Sequence, residues 1–278
     1  MTHHFTVDVE EHFQVSALEP YVPRSQWDSI ESRVAPNTTR LLDLLRETNQ
    51  KATFFVLGWV AERAPGLVRT IAAEGHEVAS HGWDHRRVTD ETPDEFRLSV
   101  RRSKDALEQI VGKPVLGYRA PSFSIVRGRD WALDILVEEG YVYDSSLFPI
   151  RRPGYGYATA QRAPHFLARR DGRLAEFPPA TVRVLGVNLP AAGGAYLRLL
   201  PAALIHAAVR DAESRGVPAM LYIHPWELDP EQPRIPVSFA TGIRHYGGLR
   251  RTVPRLRRLF REFRFGTVAE SLPAQLTL

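Results

Sequence analysis

Two histidines in Ser80-His81-Gly82-Trp83-Asp84-His85, and two carboxylates in Thr6-Val7-Asp8-Val9-Glu10, are the residues whose types and spacing could do chemistry in this chain. Neutral imidazole and carboxylate are ligands of zinc and similar divalent ions, and a catalytic site uses three protein ligands while leaving a position for water. Two histidines plus one carboxylate meet that requirement. The sequence has no cysteine, so thiolate sites and disulfides are excluded and any metal must sit on nitrogen and oxygen. Side chains alternate across a strand, which puts Thr6, Asp8 and Glu10 on one face and Val7 and Val9 on the other. Neighbouring carboxylates repel when ionised, and a bound cation removes that cost, so one ligand and one base is the natural division. A salt-bridged strand end and a surface histidine pair are the plainer readings of the same residues.

Further candidates lie downstream. Gly117-Tyr118-Arg119-Ala120-Pro121-Ser122 places an arginine before a rigid turn. Arg119 could reach the Asp8 carboxylate in a fixed fork geometry, and the backbone N–H of Ser122 could help hold an oxyanion. The apolar run Ala219-Met220-Leu221-Tyr222-Ile223 delivers His224 to a strand end, with Tyr222 on the same face. His224 reads either as a core histidine or as a general acid for a leaving amine, with Asp144 in Tyr143-Asp144-Ser145-Ser146 as a carboxylate able to orient it.

These residues need a scaffold that gathers strand ends. Short β-rich runs at residues 4–9, 52–57, 77–81, 115–119, 142–145, 174–177, 219–224 and 264–268 alternate with helical spacing, which points to parallel βα units. Asn37 or Thr38 can cap a helix through Leu41, Leu42, Leu44 and Leu45, residues 67–73 and 96–110 show helical spacing, and Pro201 suits the first turn of a helix over 203–212. Asp8, Glu10, His81, Arg119, Asp144 and His224 all fall at or just beyond C-terminal strand ends, the active face of an α/β barrel. Between residues 148 and 200 the alternation weakens; Glu176-Phe177-Pro178-Pro179 and Gly193-Gly194-Ala195-Tyr196 read as strand ends and loops over a site. Residues 1–278 are read as one domain.

The pI near 9.5 and net charge of +4 reflect arginines late in the chain, Arg244, Arg250, Arg251, Arg255, Arg257, Arg258, Arg261 and Arg264. The plain reading is the solvated face of an amphipathic helix whose apolar side is Leu249, Val253, Leu256, Phe260 and Phe263. The sharper one is a basic surface for an anionic lipid headgroup, a pyrophosphate carrier or an acidic polymer. No nucleic-acid-binding motif accompanies the charge. No signal-peptide pattern or membrane-length apolar run stands at the start, so the expectation is a cytoplasmic protein, with peripheral membrane contact as an alternative.

In this order, the motifs resemble the NodB-homology polysaccharide deacetylases of carbohydrate esterase family 4, which carry Thr-Phe-Asp-Asp, His-Ser/Thr-x-x-His, Arg-x-Pro, an Asp-containing segment and a strand ending in His. The wording of 5–15, Lys51-Ala52-Thr53-Phe54-Phe55-Val56-Leu57-Gly58-Trp59, Gly117 to Phe123, Gly193-Gly194-Ala195-Tyr196-Leu197-Arg198, His224-Pro225-Trp226-Glu227 and Arg244-His245-Tyr246 is similar to the exosortase-associated branch encoded with exopolysaccharide genes. The resemblance implies a distorted (β/α) barrel of about seven strands, with a family-specific portion from about residue 150 onward. By position it implies Asp8 as base, Glu10, His81 and His85 as metal ligands, Arg119 as the residue orienting the base, His224 as general acid and Asp144 as its associated carboxylate. The metal implied is divalent, zinc foremost, with cobalt, manganese or nickel as alternatives. The substrate implied is an N-acetylated glycan, a polysaccharide or its precursor of exopolysaccharide or peptidoglycan type. Two departures stand out: Val9 replaces the second Asp, moving the ligand to Glu10, and Tyr222 replaces the usual Leu, reshaping the acyl pocket. The Asp-x-Glu pattern keeps cyclic amidohydrolases, imidase or allantoinase-like, as a second reading; a non-catalytic glycan-binding module is a third.

Overall fold

Runs such as Phe5-Thr6-Val7 and Thr53-Phe54-Phe55-Val56 are buried on both faces, the pattern of strands in a parallel sheet covered by helices. A computed structural model of the chain describes residues 1–152 and 154–272. Its first half runs β1 (Thr2–Val9), α1 (Val34–Glu47), β2 (Thr53–Val56), α2 (Gly58–Arg63), α3 (Pro65–Ala73), β3 (Glu77–Ser80), α4 (Pro93–Val111), β4 (Gly117–Tyr118), α5 (Trp131–Glu138) and β5 (Tyr143–Asp144). The second half adds β6 (His165–Arg169), β7 (Gly172–Glu176), β8 (Thr181–Val184), β9 (Val187–Pro190), α6 (Ala195–Leu199), α7 (Ala202–Ser214), β10 (Met220–Ile223), α8 (Phe239–Tyr246), α9 (Thr252–Glu262) and β11 (Arg264–Gly266).

The strands β10-β1-β2-β3-β4-β5-β7 lie side by side and all run parallel. β11 joins the start of β1 in parallel, and β6 closes the far edge antiparallel to β7. Among the described residues no ladder links β7 directly to β10; residues 180–194 span the gap instead. The Ala180 N–H donates to Met220 O at 2.9 Å, Tyr222 N–H to Ala192 O at 2.9 Å, and Gly194 N–H to Tyr222 O at 3.2 Å. The parallel βα units follow the alternation, and the architecture is the α/β, distorted (β/α) barrel that the resemblance implies, with seven side-by-side parallel strands from β10 to β7 and one irregular seam.

All eight expected strand segments contain strands, generally trimmed at their ends. The antiparallel β6 and the β8–β9 hairpin are additions in the stretch whose alternation is weak. The apolar residues of the hairpin are largely exposed, Leu185 at its turn completely so, so no buried face marks it in the sequence. The helix expected to start at Asn37 or Thr38 begins at Val34. Pro36 fits its first turn, where a missing N–H costs nothing, and Thr38 lies inside with its hydroxyl donating to Val34 O at 2.7 Å. Pro201 stands one residue before its helix as the N-cap. α4 carries a capping box between Thr92 and Glu95 and ends on Gly112 in the left-handed conformation.

One apolar cluster runs from Phe5 to Phe265 and takes side chains from both halves of the chain. α9 buries Leu256, Leu259 and Phe260 against it. Much of its basic face is neutralised locally, as by Arg257 with Glu47 at 2.7 Å and Arg258 with Glu262 at 3.2 Å, while the Arg255 guanidinium donates to Leu200 O at 2.7 Å. Among the described residues no helix is long and apolar enough to cross a membrane.

The seam depends on close backbone approach at Gly193, where an added Cβ would lie 1.6 Å from the carbonyl oxygen of Tyr222. Gly193→Ala is therefore expected to destabilise the protein by about 1–3 kcal/mol, the usual cost of overpacking. Urea unfolding of the variant beside Gly66→Ala, whose added Cβ meets nothing within 4 Å, checks this. Equal midpoints would contradict the role given to the seam.

Candidate active site

β1 carries Asp8 to the floor of a cavity of about 640 Å³ at the C-terminal ends of the strands. Asp8 and Glu10 share a face, as alternation requires, and both are buried. Beneath them the wholly buried Arg119 donates from Nη1 to Asp8 Oδ1 at 2.7 Å and to Thr6 Oγ1 at 2.8 Å. Its Nη2 donates to Ser145 Oγ at 2.8 Å, and its guanidinium lies 4.2 Å from the Phe55 ring centroid. A planar cation fixed from several sides leaves the Asp8 carboxylate little rotational freedom.

Glu10, His81 and His85 each offer a ligand atom within 4.8 Å of the others. Several observations show that they fit a divalent cation. The His81 Nδ1–H donates to Arg119 O at 2.8 Å, which directs the Nε2 lone pair into the site. Burial, only partly offset by Asp8, lowers the His81 pKa to about 4, so the ring is neutral. Glu10 Oε2 is buried, lies 2.8 Å from His85 Nε2, and makes no hydrogen bond. Burial works against ionisation of Glu10, yet His85 and His224, then His81, hold its pKa down at about 2. His85 itself has φ 57, a left-handed conformation uncommon outside glycine, as have Ser122 (φ 55) and Phe123 (φ 53) on the opposite wall.

Beyond β10, His224 Nε2 sits 3.6 Å from Glu10 Oε1 and 4.0 Å from Asp8 Oδ2. Its Nδ1–H donates to Glu227 Oε1 at 2.8 Å. Glu227 in turn accepts from Arg198 Nε at 2.5 Å, and Arg198 also donates to the carbonyl oxygens of Arg244 (3.0 Å) and Gly247. Burial alone would discharge His224, but Glu10, Glu227 and Asp8 together raise it to about 9. Trp226 stacks on the imidazole with 5.1 Å between centroids and donates its indole N–H to Glu10 Oε1 at 3.2 Å.

A family model described as polysaccharide deacetylase matches residues 26–133, and one described as a domain of unknown function (DUF3473) matches residues 145–273. A peptidoglycan-N-acetylglucosamine deacetylase of Bacillus cereus is 34% identical over 98 residues, 35% of this chain and 36% of that protein. Over residues 26–133 the chain is thus similar to polysaccharide deacetylases. Another peptidoglycan-N-acetylglucosamine deacetylase, from Listeria monocytogenes, is 40% identical over 80 residues, 29% of this chain and 16% of that protein. A chitooligosaccharide deacetylase of Azorhizobium caulinodans is 32% identical over 85 residues, 30% of this chain and 40% of that protein. The chain spans well under half the length of these curated relatives. A solved structure of a candidate polysaccharide deacetylase from Mycobacterium smegmatis, 22% identical, superposes with a TM-score of 0.65 over 99% of this chain and 89% of that one, which establishes the shared fold.

Within this frame one expected partnership is corrected. Asp144 does not orient His224; Glu227, three residues after the histidine, makes that bond. Asp144 accepts instead from Ser146 Oγ at 2.6 Å and Ser146 N at 3.1 Å and is paired with Glu176. The strand-end pattern pointed to Asp144, whereas the tight turn after His224 brings Glu227 back onto the ring. Glu227, Trp226 and Arg198 are the functional candidates missed as individuals, although His224-Pro225-Trp226-Glu227 and Gly193-Gly194-Ala195-Tyr196-Leu197-Arg198 carry their signal. Ser122 and Tyr222 both line the cavity; Ser122 Oγ lies 2.7 Å from Ser16 Oγ, and the Tyr222 ring stands edge-on to Phe123 at 5.0 Å.

The Asp144–Glu176 pair has its own pH consequence. Burial, then the Asp144 charge, push Glu176 well above the ordinary carboxylate range, and its buried Oε2 meets no ordinary donor, so the proton shared by the pair resides there. The folded state binds this proton more tightly than the unfolded chain, so its stabilisation is complete below the ordinary glutamate pKa and is lost as pH rises through the folded value. Glu176→Gln is expected to flatten that loss in urea unfolding followed from acid to alkaline pH. An unchanged pH slope would contradict the shared proton.

Proposed function

We propose that this protein is a metal-dependent N-deacetylase that removes acetyl groups from N-acetylhexosamine units of a polysaccharide or its precursor. The observation that carries this is the meeting of Asp8, Glu10 and His224 at one cavity floor, each held by a partner of its own. Glu10, His81 and His85 would hold the cation, with zinc the best match to two imidazoles and a carboxylate. Such a cation supplies Lewis acidity and lowers the pKa of water. Asp8, positioned by Arg119, takes the proton from the attacking water. The Ser122 N–H on the cavity wall serves the oxyanion, and His224, held as imidazolium by the surrounding anions, protonates the leaving amine as the C–N bond breaks. Water and amide thereby become acetate and free amine.

A cavity of about 640 Å³ with Tyr155, Tyr196 and Trp226 in its walls suits a sugar chain better than a small imide ring. The sheet and core shared by the two matched segments support reading residues 1–278 as one domain. The motif wording along nearly the whole chain supports placing it in the exosortase-associated, exopolysaccharide branch.

Asp8→Asn should abolish acetate release from N-acetylglucosamine oligomers while zinc content, measured by elemental analysis, is retained; an active variant would sink the base assignment. Glu227→Gln should lower kcat about a hundredfold, in the range of a misplaced general acid, and Asp144→Asn should cost much less. The reverse order would restore Asp144 as the partner of His224. Ring opening of a small imide without acetate release would move the assignment to the cyclic amidohydrolases.

A further inference from the structure

The cavity changes sign from floor to mouth. Among the described residues, Asp8 and Glu10 at the floor are the only acidic side chains lining it, whereas Arg87, Arg152 and Arg244 line its outer part. Arg87 is already engaged, with Asp90 at 2.8 Å and Glu19 at 3.5 Å. Arg152 and Arg244 are exposed, and neither pairs with a carboxylate among the described residues. This sets them apart from Arg250, Arg257 and Arg258, whose charges are met by Glu231, Glu47 and Glu262.

Both arginines line the same cavity as Tyr155 and Tyr196. Tyr155 and Tyr196 bring their hydroxyls to 3.0 Å from each other in the cavity wall. Burial and the Tyr196 bond raise the Tyr155 pKa to about 12, while Arg244 and Arg152 pull it down, which places both guanidinium groups within electrostatic reach of the phenol. Arg244 is also fixed through its carbonyl, which accepts from Arg198, the arginine that holds Glu227. Two unpaired guanidinium groups beside two hydroxyls form a donor set for an oxyanion, since guanidinium matches carboxylate and phosphate in a planar fork.

We propose that the glycan acted on here is anionic, and that Arg152, Arg244 and the Tyr155–Tyr196 pair bind a carboxylate or phosphate borne next to the N-acetylhexosamine. This rests on the deacetylase reading and names the substrate class of the same cavity. Aromatic walls take the sugar ring, and the arginines select the charge on its neighbour.

The test is calorimetric titration of the zinc-loaded full chain with a hyaluronan tetrasaccharide, neutral chitotetraose and N-acetylglucosamine 1-phosphate, with acetate release followed in parallel. At least one anionic probe should bind about tenfold more tightly than the neutral one, equivalent to about 1.4 kcal/mol. That preference should fall as salt is raised. In Arg152→Gln/Arg244→Gln it should vanish, and in Arg152→Lys/Arg244→Lys it should survive in part. Whichever anionic probe keeps the preference identifies the source as uronate or sugar phosphate. Equal affinities for all probes, or a preference that the glutamine variant retains, would overturn the proposal. Arginine-dependent preference with no acetate released from any probe would uphold the anionic subsite and refute the deacetylase reading; acetate release without preference would do the opposite.

Discussion

Two carboxylates two residues apart, buried on one face of β1, are the constraint on which the rest of this structure depends. Desolvating each ion costs several kcal/mol, and the cost is recovered only with well-placed opposite charge. Asp8 has Arg119, which must itself be buried and supplied with acceptors, and so β1, β4 and the segment after β5 converge beneath it through Thr6, the Arg119 backbone and Ser145. Glu10 has no arginine. Its compensation comes chiefly from His85 and His224, with the Trp226 indole N–H on Oε1. A floor with one carboxylate locked to a fixed cation and the other facing imidazoles is asymmetric, and the proposed division into proton acceptor and ligand rests on that asymmetry.

The two matched segments contribute different parts. The first strand and the segment over residues 26–133 provide the floor, with Asp8, Glu10, His81, His85 and Arg119. The segment over 145–273 provides His224, its Glu227–Arg198 support and much of the outer wall. Neither part holds the whole constellation. Residues 180–194, bonded to β10 in place of a strand, connect the strand before His224 to the rest of the sheet. Glu227 and Arg198 then tie His224 to the helical region carrying Arg244, so the orientation of the imidazole and the charge at the mouth share one support.

Much of this was legible in the sequence because strand parity and strand ends are local properties. The period of two in Thr6-Val7-Asp8-Val9-Glu10 placed both carboxylates together, and the apolar run before His224 marked its delivery to the same end of the sheet. The partner of His224 was not legible in that way, because Asp144 and Glu227 both lie near strand ends and only the turn geometry after Pro225 decides between them. The start of α1 was misplaced because Asn37 and Thr38 resemble caps, although Pro36 allows the helix to begin sooner. The β8–β9 hairpin escaped because its exposed valines and leucines show no buried face. The free arginines at the mouth could not be separated from the other basic residues without knowing which ones the glutamates neutralise.

The most direct test of the central claim is the coordination shell of the ion in the zinc-loaded full chain, determined by anomalous diffraction at the zinc edge. The account predicts one ion bound by Glu10, His81 and His85, with Asp8 outside the shell and still paired to Arg119. An ion ligated by Asp8 with Glu10 left free, or bound elsewhere with no density between His81 and His85, would contradict it.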